Sequence, residues 1–121
     1  MLFYYLFNQD PYIVKRRAGE FLFQEGEVGE HMYVLARGDA EILLGDKVVA
    51  DAGIGAIVGE MAVIEPGPRS ASVRARGDCE FVEIDQNRFD YLVSQTPQFA
   101  TRVMRTMATR LRNADTLLKT H

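Results

Sequence analysis

Glu60 and Arg69 are the two residues of this 121-residue sequence whose surroundings best suit binding chemistry. Gly59 precedes the carboxylate, and a glycine lets the backbone approach a ligand closely. Residues 60–64 can form one helical turn, whose free amides favour an anion. Arg69 follows the chain reversal Pro66-Gly67-Pro68 at the start of a predicted strand, where a guanidinium can hold two anionic oxygens in a planar fork. A carboxylate beside an anion is accounted for when it accepts a hydrogen bond from the ligand, so the pair predicts a phosphate next to a sugar hydroxyl.

Each of these two residues also has a simpler interpretation. Arg69 can be a surface arginine that pairs with Glu65, and Glu60 can be a favourable charge at a helix N-terminus. The presence of Arg69 favours the binding interpretation of Glu60 over that of a helix charge, and the surface interpretation of Arg69 stays open at this point.

Short strands separated by glycines are predicted for most of the chain. Phe21 and Phe23 alternate with polar neighbours, which is the period of a half-buried strand, and Gly45-Asp46 is typical of a hairpin turn. Several such strands with turn signals between them indicate a jelly roll rather than alternating strands and helices. The predicted fold is mainly β with flanking helices: a double-stranded β-helix (jelly-roll) barrel with a short phosphate-binding helix. One domain, 1–121, is expected, with a lead-in helix or turn (1–17), the β-barrel (18–84) and C-terminal helices (85–120).

The last part of the chain carries helix signals. Asp85 can cap one helix, and Thr96-Pro97 places a hydroxyl and a proline at the start of a longer one. Apolar residues of this long helix recur at intervals of three and four, at Met104, Met107, Leu111, Ala114 and Leu118. This seam predicts either a homodimer through paired helices or a stripe that covers the barrel, and the sequence leaves both open.

Residues 59–71 resemble the phosphate-binding cassette of the cyclic nucleotide-binding domain family, to which catabolite activator proteins and protein kinase regulatory subunits belong. The cassette reads Gly-Glu-(Leu/Met)-Ala, a spacer, and Pro-Arg-(Ser/Thr/Ala)-Ala. This chain has Gly59-Glu60-Met61-Ala62 and Pro68-Arg69-Ser70-Ala71 at the matching separation. The strand and glycine pattern before the cassette and the two helices after it extend the resemblance over most of the chain.

The resemblance implies a role for each matching residue. Arg69 would bind the exocyclic oxygens of a cyclic phosphate, and Glu60 would accept the ribose 2′-hydroxyl. The backbone amides of Met61, Ala62, Ser70 and Ala71 would complete a cradle for the phosphate, and Gly59 would let the backbone approach it closely. Ile42 and Val49 correspond to positions that line the nucleotide pocket in the activator. Arg110, Ala114 and Asp115 correspond to positions where the activator places its contacts to the base.

Two departures from the family pattern bear on the ligand. Ala114 and Asp115 stand where the activator has two hydroxyl residues, so its contact to the adenine amino group does not carry over. Ser70 follows Arg69, whereas a threonine there is associated with cGMP, so cAMP is favoured over cGMP. The resemblance thus implies a cyclic nucleotide sensor, with no cofactor besides its ligand and with a downstream protein that the sequence does not name. A degenerate, non-binding assembly module and a fragment of an activator-type transcription factor are the alternatives.

The charge distribution argues against a nucleic-acid partner. The net charge is −3, and residues 18–68 carry two basic groups against ten carboxylates. The basic excess lies mainly in the last helix, whereas a nucleic-acid-binding domain shows a basic patch over much of its surface. Since no helix-turn-helix follows the last helix within these residues, we expect no DNA reading of that type.

The remaining composition predicts a non-enzymatic cytoplasmic protein. The two histidines, His31 and His121, are too few and too far apart for a metal centre or a catalytic triad, so no catalytic residue and no metal site are predicted. No segment approaches the ~20 apolar residues of a membrane span, so no membrane partner is expected. The apolar start, Met1–Phe7, lacks the basic region and cleavage site of a signal peptide, and the single cysteine suits a reducing compartment.

Overall fold

The computed structural model describes residues 11–119, and the side chains as far as residue 113. Ten short strands and three helices make up this part of the chain. In chain order they are β1 (Ile13–Arg16), β2 (Phe21–Phe23), β3 (Val28–Gly29), β4 (Met32–Arg37), β5 (Ala40–Leu44), β6 (Lys47–Ala52), β7 (Ile57–Val58), α1 (Met61–Ile64), β8 (Gly67–Pro68), β9 (Ser72–Ala75), β10 (Cys79–Ile84), α2 (Gln86–Gln95) and α3 (Pro97–Lys119).

The strands form two four-stranded antiparallel sheets and a two-stranded ribbon. The first sheet has the order β1-β10-β4-β7, the second has the order β2-β9-β5-β6, and β3 pairs with β8. The predicted mainly β architecture with C-terminal helices is therefore confirmed. The prediction of a barrel is corrected, because the described strands do not join the two sheets into a closed cylinder. Two of the edge strands, β7 and β2, are only two and three residues long, which is too short for a closing ladder.

A cluster of apolar side chains from both sheets forms the core beside the cassette. Phe81 of β10 and Leu35 of β4 are fully buried, and Val73 of β9 is 2% exposed. Phe23 and Tyr33 belong to the same cluster, with their ring centroids 6.1 Å apart. Each such side chain contributes about 1.5–3 kcal/mol on burial, so this cluster fixes the strands that carry the site.

The lead-in predicted as a helix or turn contains a strand instead. Ile13–Arg16 forms β1 and pairs antiparallel with β10, with Ile13 opposite Val82. The β-branched pair Ile13-Val14 fits a pleated, half-buried surface, which outweighs the turn signal of Pro11. Residues 1–10 of the predicted lead-in lie outside the described residues.

The chain divides into two compact units, Met1–Gln86 and Asn87–His121. In the second unit α3 begins at Pro97, as the Thr96-Pro97 signal predicts, and the amide of Phe99 donates to the Thr96 carbonyl at 2.9 Å. The rings of Phe89 and Phe99 meet edge to face, 5.9 Å between centroids, and tie the two helices together. None of the helices in the described part of the chain is both long and apolar enough to cross a membrane.

Candidate functional site

Two pairs of short strands hold the ends of the cassette. Before it, β7 pairs with β4, and Val58 lies opposite Tyr33. After α1, β8 pairs with β3, and Gly67 lies opposite Gly29. Between these anchors Gly59 has a φ of 72°, a left-handed conformation that favours glycine. The predicted helical turn is confirmed as the four-residue helix α1.

Arg69 is fixed through its backbone and through its side chain. Its amide donates to the Glu27 carbonyl at 2.7 Å, and its own carbonyl accepts from the Gly26 amide at 2.8 Å. The guanidinium donates from Nη2 to the His31 carbonyl at 2.9 Å and from Nη1 to the Gly59 carbonyl at 3.3 Å. Because the residue is only 8% exposed, the interpretation of Arg69 as a surface arginine is wrong.

The contact between Arg69 and Gly59 joins the two halves of the cassette. Glu60, the next residue, is 2% exposed, and its charge acts on the guanidinium. The structure therefore brings Gly59, Glu60 and Arg69 into one place, although Arg69 lies beyond the intervening helix and turn in sequence. A buried cation beside a buried carboxylate can hold an anionic group next to a hydroxyl donor.

Two residues that the sequence does not predict as neighbours, Phe23 and Gly29, lie against the side chain of Arg69. The guanidinium carbon lies 4.1 Å from the centre of the Phe23 ring, a cation–π contact. A Cβ on Gly29 would fall 2.2 Å from the same carbon, so only glycine leaves room for the guanidinium. The sequence predicts Phe23 in a half-buried strand, but spacing alone gives no signal of which side chain Phe23 or Gly29 meets.

Burial and charge act in opposite directions on Arg69. Burial lowers its pKa, and electrostatic interactions with Tyr33, Glu27 and Glu60 oppose that shift. The group stays cationic, because an arginine starts from a pKa far above neutral. Its Nε is buried and has no hydrogen-bond partner among the described residues. A buried charged donor of this kind gains most from an anionic acceptor.

The remaining cassette residues differ in exposure. Ala62 is 5% exposed and its amide donates to the Gly59 carbonyl at 3.2 Å, while the Met61 side chain is 52% exposed. Ser70 is exposed and Ala71 is half-buried at the entry to β9. Whether these four amides cradle a phosphate stays a prediction.

The predicted pocket and base contacts fall on three elements. Ile42 of β5 lies opposite Val73, half-buried against the core, and Val49 of β6 is 45% exposed. Val49 is the extra residue of a bulge, since Ile42 pairs with Ala50 and Leu43 with Val48. Arg110, Ala114 and Asp115 belong to α3. Arg110 is exposed, and the side chains of the other two lie outside the described residues.

Within residues 11–113, no three histidine, cysteine, aspartate or glutamate side chains group together as metal ligands. The buried thiol of Cys79 lies 3.0 Å from the Asp39 carbonyl, and burial raises its pKa. Both features describe a structural cysteine.

Known proteins share this arrangement of strands and helices. A catabolite activator protein of Thermus thermophilus matches with a TM-score of 0.75 and 30% identity, over 89% of this chain and 54% of that one. An uncharacterized ABC transporter ATP-binding protein of Mycobacterium bovis is 40% identical over 80 residues, 62% of this chain and 24% of the relative. The cGMP-dependent protein kinase egl-4 of Caenorhabditis elegans is 29% identical over 100 residues, 76% of this chain and 13% of the kinase. The chain thus spans about a quarter or less of these two relatives.

The sequence model of the cyclic nucleotide-binding domain matches residues 13–96, which include both sheets, the ribbon and the whole cassette. Together with the jelly-roll likeness to the activator, this match confirms the resemblance read from residues 59–71. The chain belongs to the cyclic nucleotide-binding domain family.

Proposed function

We propose that this domain is a regulatory module that binds a cyclic nucleotide, preferring cAMP, and releases it unchanged. Arg69 binds the exocyclic oxygens of the cyclic phosphate, and Glu60 accepts the ribose 2′-hydroxyl. The amides of Met61, Ala62, Ser70 and Ala71 supply the remaining contacts to the phosphate, and Ile42 and Val49 border the nucleotide.

One observation carries the proposal: the buried guanidinium of Arg69 reaches the Gly59 carbonyl beside the buried Glu60. Burying a cation costs free energy unless the cation is paired. Buried charges without full pairing are therefore found where the charge serves a function. A degenerate assembly module has no use for a buried arginine whose Nε lacks a partner among the described residues. The site therefore favours a binding module over the non-binding alternative.

The preference for cAMP rests on Ser70, which stands where a threonine would favour cGMP. The relatives do not decide the base, because one of them is a cGMP-dependent kinase. The resemblance to the activator assigns Arg110 and Asp115 of α3 as the proposed contacts to the base. The same helix is the proposed route by which the bound state reaches a second copy or another protein.

Titration calorimetry with cAMP, cGMP and 5′-AMP tests the ligand. We expect both cyclic nucleotides to bind, cAMP more tightly, and Arg69→Ala to weaken cAMP binding about 30- to 1000-fold. Losing a charge-assisted bidentate contact in a partly buried site costs ~2–4 kcal/mol.

Arg37→Ala is the matched control, since the Arg37 side chain is 74% exposed and lies on β4 outside the cassette. Its affinity is expected to equal that of the wild type. Equal binding by wild type and Arg69→Ala contradicts the assignment of the site. Chromatography of the samples titrated with cAMP should return cAMP intact. Release of 5′-AMP from cAMP that depends on the protein would contradict the regulatory role.

A further inference from the structure

We propose that Phe23 is a positioning residue that holds the plane of the Arg69 guanidinium for the cyclic phosphate. The inference rests on the proposed function and deepens it. Phe23 is 9% exposed, on the short strand β2, and its ring faces the guanidinium carbon at 4.1 Å. This distance is well within the ~6 Å over which a cation and an aromatic face attract each other.

The ring acts on Arg69 without occupying any of its donors. Two N–H bonds of the guanidinium already donate to the carbonyls of Gly59 and His31, and these bonds lie at its edges. The face of the group is a separate contact surface, so stacking on Phe23 leaves Nε–H and the other N–H bonds for an anion. An incoming phosphate is a stronger acceptor than a carbonyl and would draw the edges toward itself. The aromatic face resists rotation of the plane while that exchange takes place.

Neighbouring groups leave the guanidinium little room besides this face. Gly29 lies so close that a Cβ there would be 2.2 Å from the guanidinium carbon. The Phe23 ring itself would come 3.2 Å from a Cβ on Gly59, so the ring also borders the first residue of the cassette. Because Arg69 is only 8% exposed, few water molecules can hydrogen-bond to its guanidinium. The cation–π contact with Phe23 is therefore desolvated, and such contacts are stronger than those at exposed sites.

The same strand provides a matched control. Phe21 of β2 has its ring 5.6 Å from the guanidinium carbon of Arg74, and Arg74 donates to Glu41 from Nε at 2.9 Å and from Nη2 at 2.6 Å. Phe21→Leu therefore removes an aromatic ring and a cation–π neighbour from β2 without touching Arg69.

The experiment compares cAMP affinity by calorimetry in Phe23→Leu, Phe23→Tyr and Phe21→Leu. We expect Phe23→Leu to bind cAMP about 5- to 30-fold more weakly, Phe23→Tyr to restore binding to within about 3-fold of wild type, and Phe21→Leu to match the wild type. Should Phe23→Leu melt below the assay temperature, a trifluorinated phenylalanine at position 23 takes its place. Fluorine withdraws ring electrons at nearly constant ring size, so weaker binding is again expected.

A second readout needs no ligand. In the wild type the ring current of Phe23 shifts the Arg69 Nε–H proton upfield in NMR spectra, and Phe23→Leu leaves only the smaller contribution of the Tyr33 ring, whose centre is 6.0 Å from the guanidinium carbon. Absence of the shift overturns the proposal, as does equal cAMP affinity in wild type and Phe23→Leu, or equal weakening by leucine and tyrosine. A wild type that shows the shift but binds neither cAMP nor cGMP overturns the proposed function, and with it the role of Phe23 in binding.

Discussion

Gly29 decides how closely Arg69 can lie against strand β3. A Cβ at this position would come within 2.2–2.4 Å of three guanidinium atoms, so an alanine forces the side chain of Arg69 to move. We expect Gly29→Ala to weaken cAMP binding at least about 10-fold, since a misplaced guanidinium loses its charge-assisted contacts. Calorimetry measures the effect. Gly53→Ala is the control, because a Cβ there meets nothing within 4 Å. Similar affinities in the two variants would show that Arg69 shifts freely.

Glu60 allows a test in which both protein and ligand change. Glu60→Gln keeps the shape of the side chain and removes its charge, so the bond from the ribose 2′-hydroxyl loses about half of its strength. We expect this variant to bind cAMP roughly 10-fold more weakly than the wild type. The two proteins should bind 2′-deoxy-cAMP equally, since that ligand has no hydroxyl to donate. An equal loss for both nucleotides would place Glu60 away from the ribose.

At the scale of elements, Tyr33 and Glu83 link the central strands β4 and β10. They are opposite each other in the register, and the Tyr33 hydroxyl donates to Glu83 Oε2 at 3.1 Å. Burial, and then the charge of Glu83 and this hydrogen bond, raise the pKa of Tyr33 from 10.0 to about 12. Between these values the unfolded chain loses the proton first, so the native state loses stability as pH rises.

The stability of the domain should therefore fall by about 1–2 kcal/mol between pH 10 and pH 12, after allowance for solvent screening near the half-exposed Glu83. Below pH 10 this residue contributes no pH dependence, because both states keep the proton. Denaturant unfolding of wild type and Tyr33→Phe across this range measures the difference. A slope that is the same in both proteins would assign the loss of stability to other groups.

The sequence predicts the longer elements and misses the shortest. Alternation predicts the strand at Phe21 and Phe23 (β2), Gly45-Asp46 predicts the hairpin of β5 and β6, and Thr96-Pro97 predicts the start of α3, because these signals are local. The two-residue strands β3, β7 and β8 exist only through partners distant in sequence, as with Val28 opposite Pro68. Sheet closure is equally non-local, so a barrel was predicted where two separate sheets lie. Within the site, the cassette motif identified Arg69, but its contacts with Phe23 and Gly29 depend on how β2 and β3 pack.

For the whole molecule, α3 is the element that we propose passes on the bound state. In the described residues its seam positions Met104 and Leu111 are 57% and 65% exposed, while Met107 is half-buried. Such apolar exposure on one helix favours pairing over a stripe that only covers the sheets. Residues 97–113 also carry four arginines and no acid, so two parallel copies would repel each other across the seam.

We therefore expect a homodimer that is weak at low ionic strength and tightens with salt. Salt shortens the Debye length from ~30 Å at 0.01 M to ~3 Å at 1 M and so screens the repulsion between the arginines of the two copies. Leu111→Asp should weaken it at least about 100-fold, since it buries an unpaired carboxylate in the seam. Sedimentation equilibrium at two salt concentrations gives both effects. Leu44→Asp, at a leucine of β5 that is 47% exposed, is the control and should dimerise as the wild type does. A monomer at every concentration, or a dimer indifferent to Leu111→Asp, would leave the seam of α3 without a role in pairing.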